Sequence, residues 1–420
     1  MDCDDQSYLC SEEVIRIAGA RFLSRCRSTT SSCHGMRMVD LVETLVAASD
    51  RVARNDLDQA AALLKECKRS SSAAGNAIQR LVFYFSEALQ ERMINSQTAR
   101  PPSSSSSSSS TSCLPMGVAS QFAGVQAIVD EVTGGAKRPV HIIDLSLRNG
   151  AQWTILMSAL AASSSPPQRL KLTAVGSQSQ MDDSISRQMM EETGNRLAGF
   201  AATLNMPFSF HIVMVSELSH LKVHMLGLHA DYDDDEEEAV AVYLDYVPRK
   251  LLRSPTEFDK LMRTIKSIDP DVVVVTEVEA NHNSPAFGSR FMESLYFFSA
   301  YLDATEAYFF NDDYCRMAVE SVYCGESIRN IVACEGEERV VRNVPLRAWR
   351  LFFKRFGMVE VEMSSSCFHQ ARLVIHNINA AGCRDLCTVE RDIGDKSLVL
   401  GWKGTRLHSV SAWKFRHIHT

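Results

Sequence analysis

The chain has 420 residues, of which 45% are hydrophobic and 23% are charged, and its formal net charge is −7. This is the composition of a globular protein with enough apolar material for a large core. The negative charge excludes a global attraction to nucleic acid or to an anionic membrane, although it leaves a local basic patch open. The 12 cysteines contain no C-x-x-C pair, which disfavours structural zinc and is typical of a reducing compartment.

The first 37 residues predict a loosely ordered leader. They begin MDCDDQSYLC, which is acidic and lacks the apolar core of a signal peptide. The run EEVIRIAGARFLS predicts one brief amphipathic helix. No apolar stretch in the chain reaches the ~20 residues of a membrane span, so we expect neither secretion nor a membrane location.

Residues 38–135 predict a mainly helical cap. Apolar residues recur at helical spacing in MVDLVETLVAASDRVARND and in AIQRLVFYFSEALQERM. Seven-residue steps from Leu41 reach Ala48 and then Asn55, so ordinary packed helices are predicted rather than a coiled coil. The run PPSSSSSSSSTS predicts a mobile loop over 96–115, because it cannot bury apolar surface.

Residues 139–420 predict an α/β core. Apolar, β-branched runs alternate with helical segments, which is typical of a mostly parallel sheet. The runs lack in–out alternation, which indicates a sheet covered on both faces. The acidic run DYDDDEEEA at 231–239 predicts a solvated loop. The predicted strands are VHIIDL, LKLTAV, FSFHIVMV, AVAVYLDYV and DVVVVTEVEA, followed by MVEVEMS, ARLVIHNI and SLVLGWKG as a possible antiparallel edge.

The segment PVHIIDLSLRNGAQW resembles the start of a cofactor loop and fails the chemical test for one. A glycine-rich loop counted from Asp144 requires small residues at three positions, where this chain has Ser146, Arg148 and Gly150. The next strand, LKLTAVGSQSQ, does not end in the acid that would bind ribose hydroxyls. No cofactor is therefore predicted. Asp144 is expected to cap the turn and Gly150 to permit close packing.

Other catalytic signals are weak. Asn281 and His282 follow a strand that carries Glu277 and Glu279, and α/β enzymes place chemistry at that end of a strand. The competing interpretation, which we favour, is that Asn281 and His282 hydrogen-bond the start of a helix near Pro285. The sequence contains no nucleophile elbow, H-E-x-x-H or P-loop.

Several segments together resemble plant GRAS proteins. VHIIDLSLRNGAQWTILMSALA resembles the VHIID motif of that family. Residues 38–95 and 187–228 resemble its two leucine-rich regions, and EVEANHNSPAFGSRFMESLYFFSAYLDATEA resembles part of its PFYRE region. GEERVVRNVPLRAW resembles the RVER segment, and LVLGWKGTRLHSVSAWKF resembles the SAW motif. The motif residues are Val140, His141, Ile142, Ile143, Asp144, Gly150, Gln152, Trp153, Arg339, Arg342, Trp402, Ser411, Ala412 and Trp413.

The resemblance implies a nuclear plant transcriptional regulator that is not an enzyme, of the scarecrow-like or DELLA-like kind. It implies a Rossmann-like, methyltransferase-like core with an N-terminal helical cap. Its implied partners are transcription factors, such as zinc-finger proteins, and other GRAS proteins, with a homodimer or heterodimer possible. DNA contact would be indirect or weak, with no cofactor and no membrane. The DELLA and VHYNP segments are missing, so hormone-triggered degradation is not carried over.

Two surfaces are candidates for recognition. The first is apolar and comprises Leu41, Leu45, Val52, Leu81 and Phe85, although most of these are expected in the core.

The second candidate is a basic helix within RNVPLRAWRLFFKRFG, where Arg347, Arg350 and Lys354 fall on one face beside aromatic residues. This stripe would track DNA phosphates, or it is a solvated face paired with local acids such as Glu337 and Glu338, the interpretation that we favour. A third and weaker hypothesis is an S-adenosylmethionine-dependent methyltransferase, which Arg148 opposes.

Overall fold

The computed structural model describes most of the chain and divides it into two compact units. The predicted leader, residues 99–113 of the serine-rich loop and residues 229–236 of the acidic loop lie outside the described residues. The described residues are 38–98, 114–134, 138–177, 183–228, 237–377, 385–392, 394 and 396–416. Among the described residues, the helical unit comprises those within 38–98 and 281–341, and the sheet unit comprises those within 114–280 and 342–416.

Two distant stretches of the chain build the helical unit. Its first three helices pack on one another, and the third, Ala77–Thr98, also packs on two helices of the second stretch, Phe287–Tyr308 and Glu326–Ala333. A π-helical segment, Glu320–Gly325, joins the helix before it directly to Glu326–Ala333. The helices are α1 (Met38–Ala53), α2 (Leu57–Ser70), α3 (Ala77–Thr98), α9 (Phe287–Tyr308), α10 (Asp313–Val319) and α11 (Glu326–Ala333).

One sheet of nine strands organises the described part of the sheet unit. The strand order is β3-β2-β1-β4-β5-β9-β8-β7, and β6 also pairs with β9. The first five strands in this order are parallel, whereas β6 to β9 form antiparallel pairs. The strands are β1 (Val140–Asp144), β2 (Leu170–Ser177), β3 (Phe208–Val215), β4 (Ala239–Asp245), β5 (Val272–Val278), β6 (Met358–Val361), β7 (Cys387–Arg391), β8 (Leu398–Trp402) and β9 (Thr405–Phe415).

The central strands are buried at every position, as their unbroken apolar runs predict. This holds for β1, β4, β5 and β8, because a sheet covered on both faces removes each side chain from water. The edge strand β3 differs, since most of its residues are half-buried or exposed, and the expectation of full coverage is wrong there. The predicted fold class, an α/β Rossmann-like core with a mostly parallel sheet and a helical cap, is confirmed.

Seven helices in the described residues accompany the sheet, and one of them corrects a prediction. The segment ARLVIHNI was predicted as a strand, but its described residues, 371–377, lie in the helix Ser365–Asn377. Its buried residues recur at helical spacing, and this periodicity indicates a helix, whereas the short apolar run alone suggested a strand. The helices are α4 (Pro115–Val132), α5 (Ala151–Ala161), α6 (Asp183–Thr203), α7 (Pro248–Leu251), α8 (Pro255–Ile268), α12 (Leu346–Arg355) and α13 (Ser365–Asn377).

Helix α4 groups with the sheet unit, although the sequence analysis placed residues 115–132 in the cap. It packs on α13, α5 and β9 and is buried over most of its length. A typical surface helix has one apolar stripe, whereas α4 is buried on nearly all sides. No helix among the described residues is long and apolar enough to cross a lipid bilayer.

Candidate functional site

The turn after β1 is held by one buried carboxylate. Asp144 accepts hydrogen bonds from the backbone N–H of Ser146 at 2.8 Å and from the indole Nε1 of Trp153 at 2.8 Å. The Oγ of Ser146, at 3.2 Å, and the Nε2 of Gln152, at 3.4 Å, add weaker donors. Burial raises the pKa of Asp144 to about 6, against the effect of these donors. Its hydrogen-bonding capacity is therefore used inside the protein.

Gly150 begins α5 in a backbone conformation that suits glycine. Its φ is 70°, in the left-handed region, where a side chain is strained. A Cβ added there would lie 2.8 Å from Cγ2 of Thr193 and 3.3 Å from Cδ1 of Leu197. The glycine thus allows close packing of the turn against α6.

Arg148 lies among side chains at the carboxyl ends of β1 and β4. Its Nη2 lies 3.4 Å from Oδ2 of Asp245, and its guanidinium lies 5.2 Å from the centre of the Tyr246 ring. Arg249 also lies on that ring, at 4.8 Å. Two arginines and an aromatic ring therefore occupy the place where a dinucleotide-type ligand approaches such a sheet.

Further buried groups extend this arrangement, which we call the edge cluster. The hydroxyl of Tyr246 is hydrogen-bonded to Nδ1 of His408 at 2.8 Å. Burial, together with the charges of Arg249 and Arg148, lowers the pKa of His408 to about 3. Burial likewise raises the pKa of Glu277 to about 7. The edge cluster comprises Arg148, Asp245, Tyr246, Arg249, Glu277 and His408.

The two acids at the end of β5 accept hydrogen bonds from the N-termini of two helices. Glu277 Oε1 accepts the backbone N–H of Arg249 at 2.9 Å, in the first turn of α7. Glu279 Oε2 accepts the backbone N–H of Leu346 at 2.8 Å, at the start of α12. Carboxylates at helix N-termini satisfy free N–H groups and favour the helix dipole. Both acids therefore have a structural task where the sequence suggested chemistry.

His282 lies in the loop before α9, and its expected hydrogen bond to the start of that helix stays a prediction. The N-cap of α9 is Ala286, whose own side chain cannot cap the helix. The His282 ring is buried and packs against Phe297 and Phe298, with ring centroids 5.2 Å and 5.9 Å apart. The histidine is therefore a core residue of the helical unit.

The end of β2, where a cofactor-binding fold carries a ribose acid, is closed by methionines. A Cβ added to Gly176 would lie 2.7 Å from Sδ of Met214 and 3.0 Å from Sδ of Met190. Ser177 donates its hydroxyl to the carbonyl of Ser216 at 3.2 Å. The described side chains at this end of β2 thus supply no carboxylate to bind a ribose.

Comparisons with known proteins identify the family. Residues 41–414 match the GRAS domain family. The chain belongs to the GRAS family. It is 34% identical over 376 residues to DELLA protein 2 of Medicago truncatula, covering 90% of this chain and 67% of that protein. It is 33% identical over 409 residues to DELLA protein RGL1 of Arabidopsis thaliana, covering 94% of this chain and 75% of that protein.

A solved structure supports the same assignment. The crystal structure of SCL7 from Oryza sativa matches with a TM-score of 0.75 and 25% identity, covering 89% of this chain and 99% of that chain. The suspected GRAS resemblance is thereby confirmed. The match to the DELLA relatives leaves a quarter to a third of their length uncovered.

The VHIID segment of this GRAS chain is β1, and its side chains stabilise the sheet. His141 is buried, with Nε2 2.8 Å from Oγ1 of Thr173 and Nδ1 3.4 Å from Oε2 of Glu238. The ring of Trp153 packs edge-on against Tyr243 at 5.2 Å. The remaining members, Val140, Ile142, Ile143 and Gln152, are also buried.

The RVER and SAW residues are packed as well. Arg339 is buried in the helical unit and donates Nη1 to the carbonyl of His282 at 2.8 Å. Arg342 is half-buried and belongs to the sheet unit. In the SAW motif, Nε1 of Trp413 donates to Oγ of Ser411 at 2.9 Å. Trp402 and Ala412 are buried in β8 and β9.

The apolar candidates for a partner surface lie in the core of the helical unit. Leu45 and Phe85 have no exposed surface, and Leu41, Leu81 and Val52 are buried. Phe85 packs edge-on against Phe291 at 5.3 Å. A buried side chain is not available to a partner, so these five residues are corrected from surface to core.

The basic helix α12 forms as expected, but its stripe is partly neutralised. Arg350 Nε donates to Glu360 Oε2 at 2.7 Å, and its Nη2 contacts Glu360 and Asp392. Arg347 and Lys354 are exposed. Only two members of the predicted stripe are therefore open to a phosphate, and Arg350 is corrected to an internal ion pair.

Sequence reasoning missed most of the edge cluster. Tyr246 follows β4, whereas Arg249 lies in α7 and His408 in β9, up to 162 residues away. No sequence motif marks Tyr246, and its left-handed backbone, with φ of 56°, is visible only in the structure. Residues that far apart meet because of the strand order, which the sequence alone does not specify.

Proposed function

We propose that this GRAS protein is a nuclear plant transcriptional regulator that acts as a scaffold. It would bind DNA-bound transcription factors, including zinc-finger proteins, and other GRAS proteins, as a homodimer or a heterodimer. The observation that carries the proposal is the GRAS match over residues 41–414. The packing of Arg148 and the methionines into the cofactor region supports a binding role over methyl transfer.

The test is recovery of the tagged full-length chain from plant nuclei, with the tag alone as control. We expect sequence-specific transcription factors or other GRAS proteins in the recovered material, identified by mass spectrometry. Recovery of the chain alone, still holding its target DNA after salt-controlled washing, would contradict the scaffold proposal.

An alternative function is direct DNA binding through α12, favoured by the exposed Arg347, Lys354 and Arg355. Three phosphate contacts would give a log–log salt slope of about −2.7, because each contact contributes about −0.9. Affinity would then fall about 40-fold between 50 and 200 mM salt. No binding of the purified chain to duplex DNA at low salt would rule this alternative out.

A methyltransferase activity is a weaker alternative, because Arg148 and Asp245 pair where the cofactor loop would need open space. A thermal shift with S-adenosylmethionine tests it. Clear stabilisation of the chain would revive the enzyme hypothesis.

A further inference from the structure

A groove runs along the surface of the helical unit. It lies between α3 and the continuous helix formed by α10, the π segment and α11, and its volume is about 740 Å³. We call it the cap groove, and its walls include Phe83, Tyr84, Glu87, Tyr314, Met317 and Glu326.

The outer wall of the cap groove exposes large apolar side chains. Tyr314 is 85% exposed and Met317 is 38% exposed, and both line the groove. Clustered exposed apolar groups mark interaction sites, whereas single ones do not. Methionine and aromatic side chains suit such a site, because they adapt to a partner and contribute a large contact area. The groove is therefore suited to bind an apolar surface of a partner.

The groove also carries an excess of negative charge. Three carboxylates, Glu87, Glu91 and Glu326, line it together with one guanidinium, that of Arg329. Arg329 is committed to Glu91, with Nη2 2.8 Å from Oε1. Among the described residues, Oε2 of Glu326 is buried without a hydrogen-bond partner. A cover that brings cationic donors would compensate this charge.

Buried contacts fix the shape of the groove. In the π segment, Glu320 is fully buried, with Oε2 2.9 Å from Nε of Arg80 and 3.1 Å from Nη1 of Arg316. A Cβ added to Gly325 would lie 3.2 Å from the ring of Tyr84, so the two walls approach closely there. π-helical segments inside α-helices are frequently found at functional sites. A preformed groove loses little conformational entropy on binding.

The length of the groove selects the kind of cover. Residues 314–329 span about 22 Å at a rise of 1.5 Å per residue, which is about four turns of a helix. A groove between two helices with apolar walls accepts an amphipathic helix, whose contacts recur at i, i+3 or i+4 and i+7.

We infer that the cap groove binds an amphipathic helix of a partner protein that carries Lys or Arg beside its apolar face. The apolar face covers Tyr314 and Met317, and the basic residues pair with Glu87 and Glu326. The inference rests on the proposed scaffold function and names the chemistry of one of its partners.

The experiment places the photo-crosslinking amino acid p-benzoylphenylalanine at Tyr314 of the full chain in plant nuclear extract. Mass spectrometry then sequences the crosslinked peptide. We expect a segment of another protein with apolar residues at helical spacing and adjacent Lys or Arg. The double change Glu87→Lys with Glu326→Lys should lower its yield at least tenfold. The matched control is Glu43→Lys, an exposed glutamate on α1, which should leave the yield unchanged.

The single change Met317→Arg gives a second test with an exposed residue, and its yield should fall in the same way. A crosslink to this chain's own leader, to a second copy or to an acidic segment would overturn the inference. A crosslink yield from Tyr314 no higher than that from the same amino acid placed at Leu351 would also overturn it. If the variants lose no partner while transcription factors still copurify with the chain, the groove assignment fails and the scaffold proposal stands.

Discussion

At the scale of single residues, the contact between Asp144 and Trp153 fixes the turn after β1, in the segment that resembles the VHIID motif. Trp153→Phe removes the indole donor, 2.8 Å from the buried carboxylate. We expect a loss of about 1–3 kcal/mol in the free energy of unfolding at pH 7.5, because a buried carboxylate then lacks a donor. Urea titration measures it, and Trp153→Phe should cost much less in an Asp144→Asn background.

The pH dependence of that effect follows from the pKa of Asp144, which burial raises from 3.8 to about 6. The folded state retains a proton that the unfolded state has lost, so this group lowers stability as pH rises from 4 to 6. Removing the indole donor raises the pKa further, and the deficit of Trp153→Phe should shrink below pH 6. An equal deficit at pH 5 and 7.5 would contradict this account.

His408 should destabilise the protein in acid, because its pKa in the folded state is lowered from 6.5 to about 3. Between these values the unfolded state binds the proton and the folded state does not, so stability falls as pH drops. Relative to His408→Gln, the wild type should lose up to about 1.4 kcal/mol per pH unit between pH 6 and 4. Urea midpoints across that range measure the difference, and parallel curves would refute the prediction.

At the scale of elements, α12 separates charges that serve the fold from charges that face solvent. Arg350→Ala leaves Glu360 and the buried Asp392 without their guanidinium. We expect a loss of about 2 kcal/mol in the free energy of unfolding. Arg347→Ala on the same helix is the matched control, and it should change stability by less than about 0.5 kcal/mol because its side chain is exposed.

Elements were predictable where period and length agreed. The five parallel strands were predictable from their unbroken apolar runs, because they are buried on both faces. Helix α12 was predictable from side chains that recur at helical spacing. Residues 371–378 were not, because a short apolar run has the same composition in a strand and in a buried helix. The acids Glu277 and Glu279 were noticed, but the helix ends that they cap lie 28 and 67 residues away.

At the scale of the whole molecule, the sequence shows which faces are apolar but not which segments cover them. Residues 281–341 join the helices of 38–98 in one unit, through contacts such as that of Arg80 with Glu320. The helices of each segment have ordinary amphipathic sequences, so the pairing of the two segments depends on the fold. The cap groove was missed for the same reason, since its two walls are more than 200 residues apart in sequence.

The net charge of −7 shapes how the molecule reaches DNA. A protein with this charge repels the duplex at long range, and two exposed members of the α12 stripe add little attraction. We therefore expect the purified, immobilised chain not to bind a labelled promoter fragment at 150 mM salt. Addition of nuclear extract should cause the chain to retain that fragment. Arg347→Glu with Lys354→Glu should reduce that retention by less than twofold, because in the proposed scaffold role a partner protein holds the DNA. A loss of tenfold or more would instead place the DNA contact on α12, and unfolding by urea distinguishes this from a damaged fold.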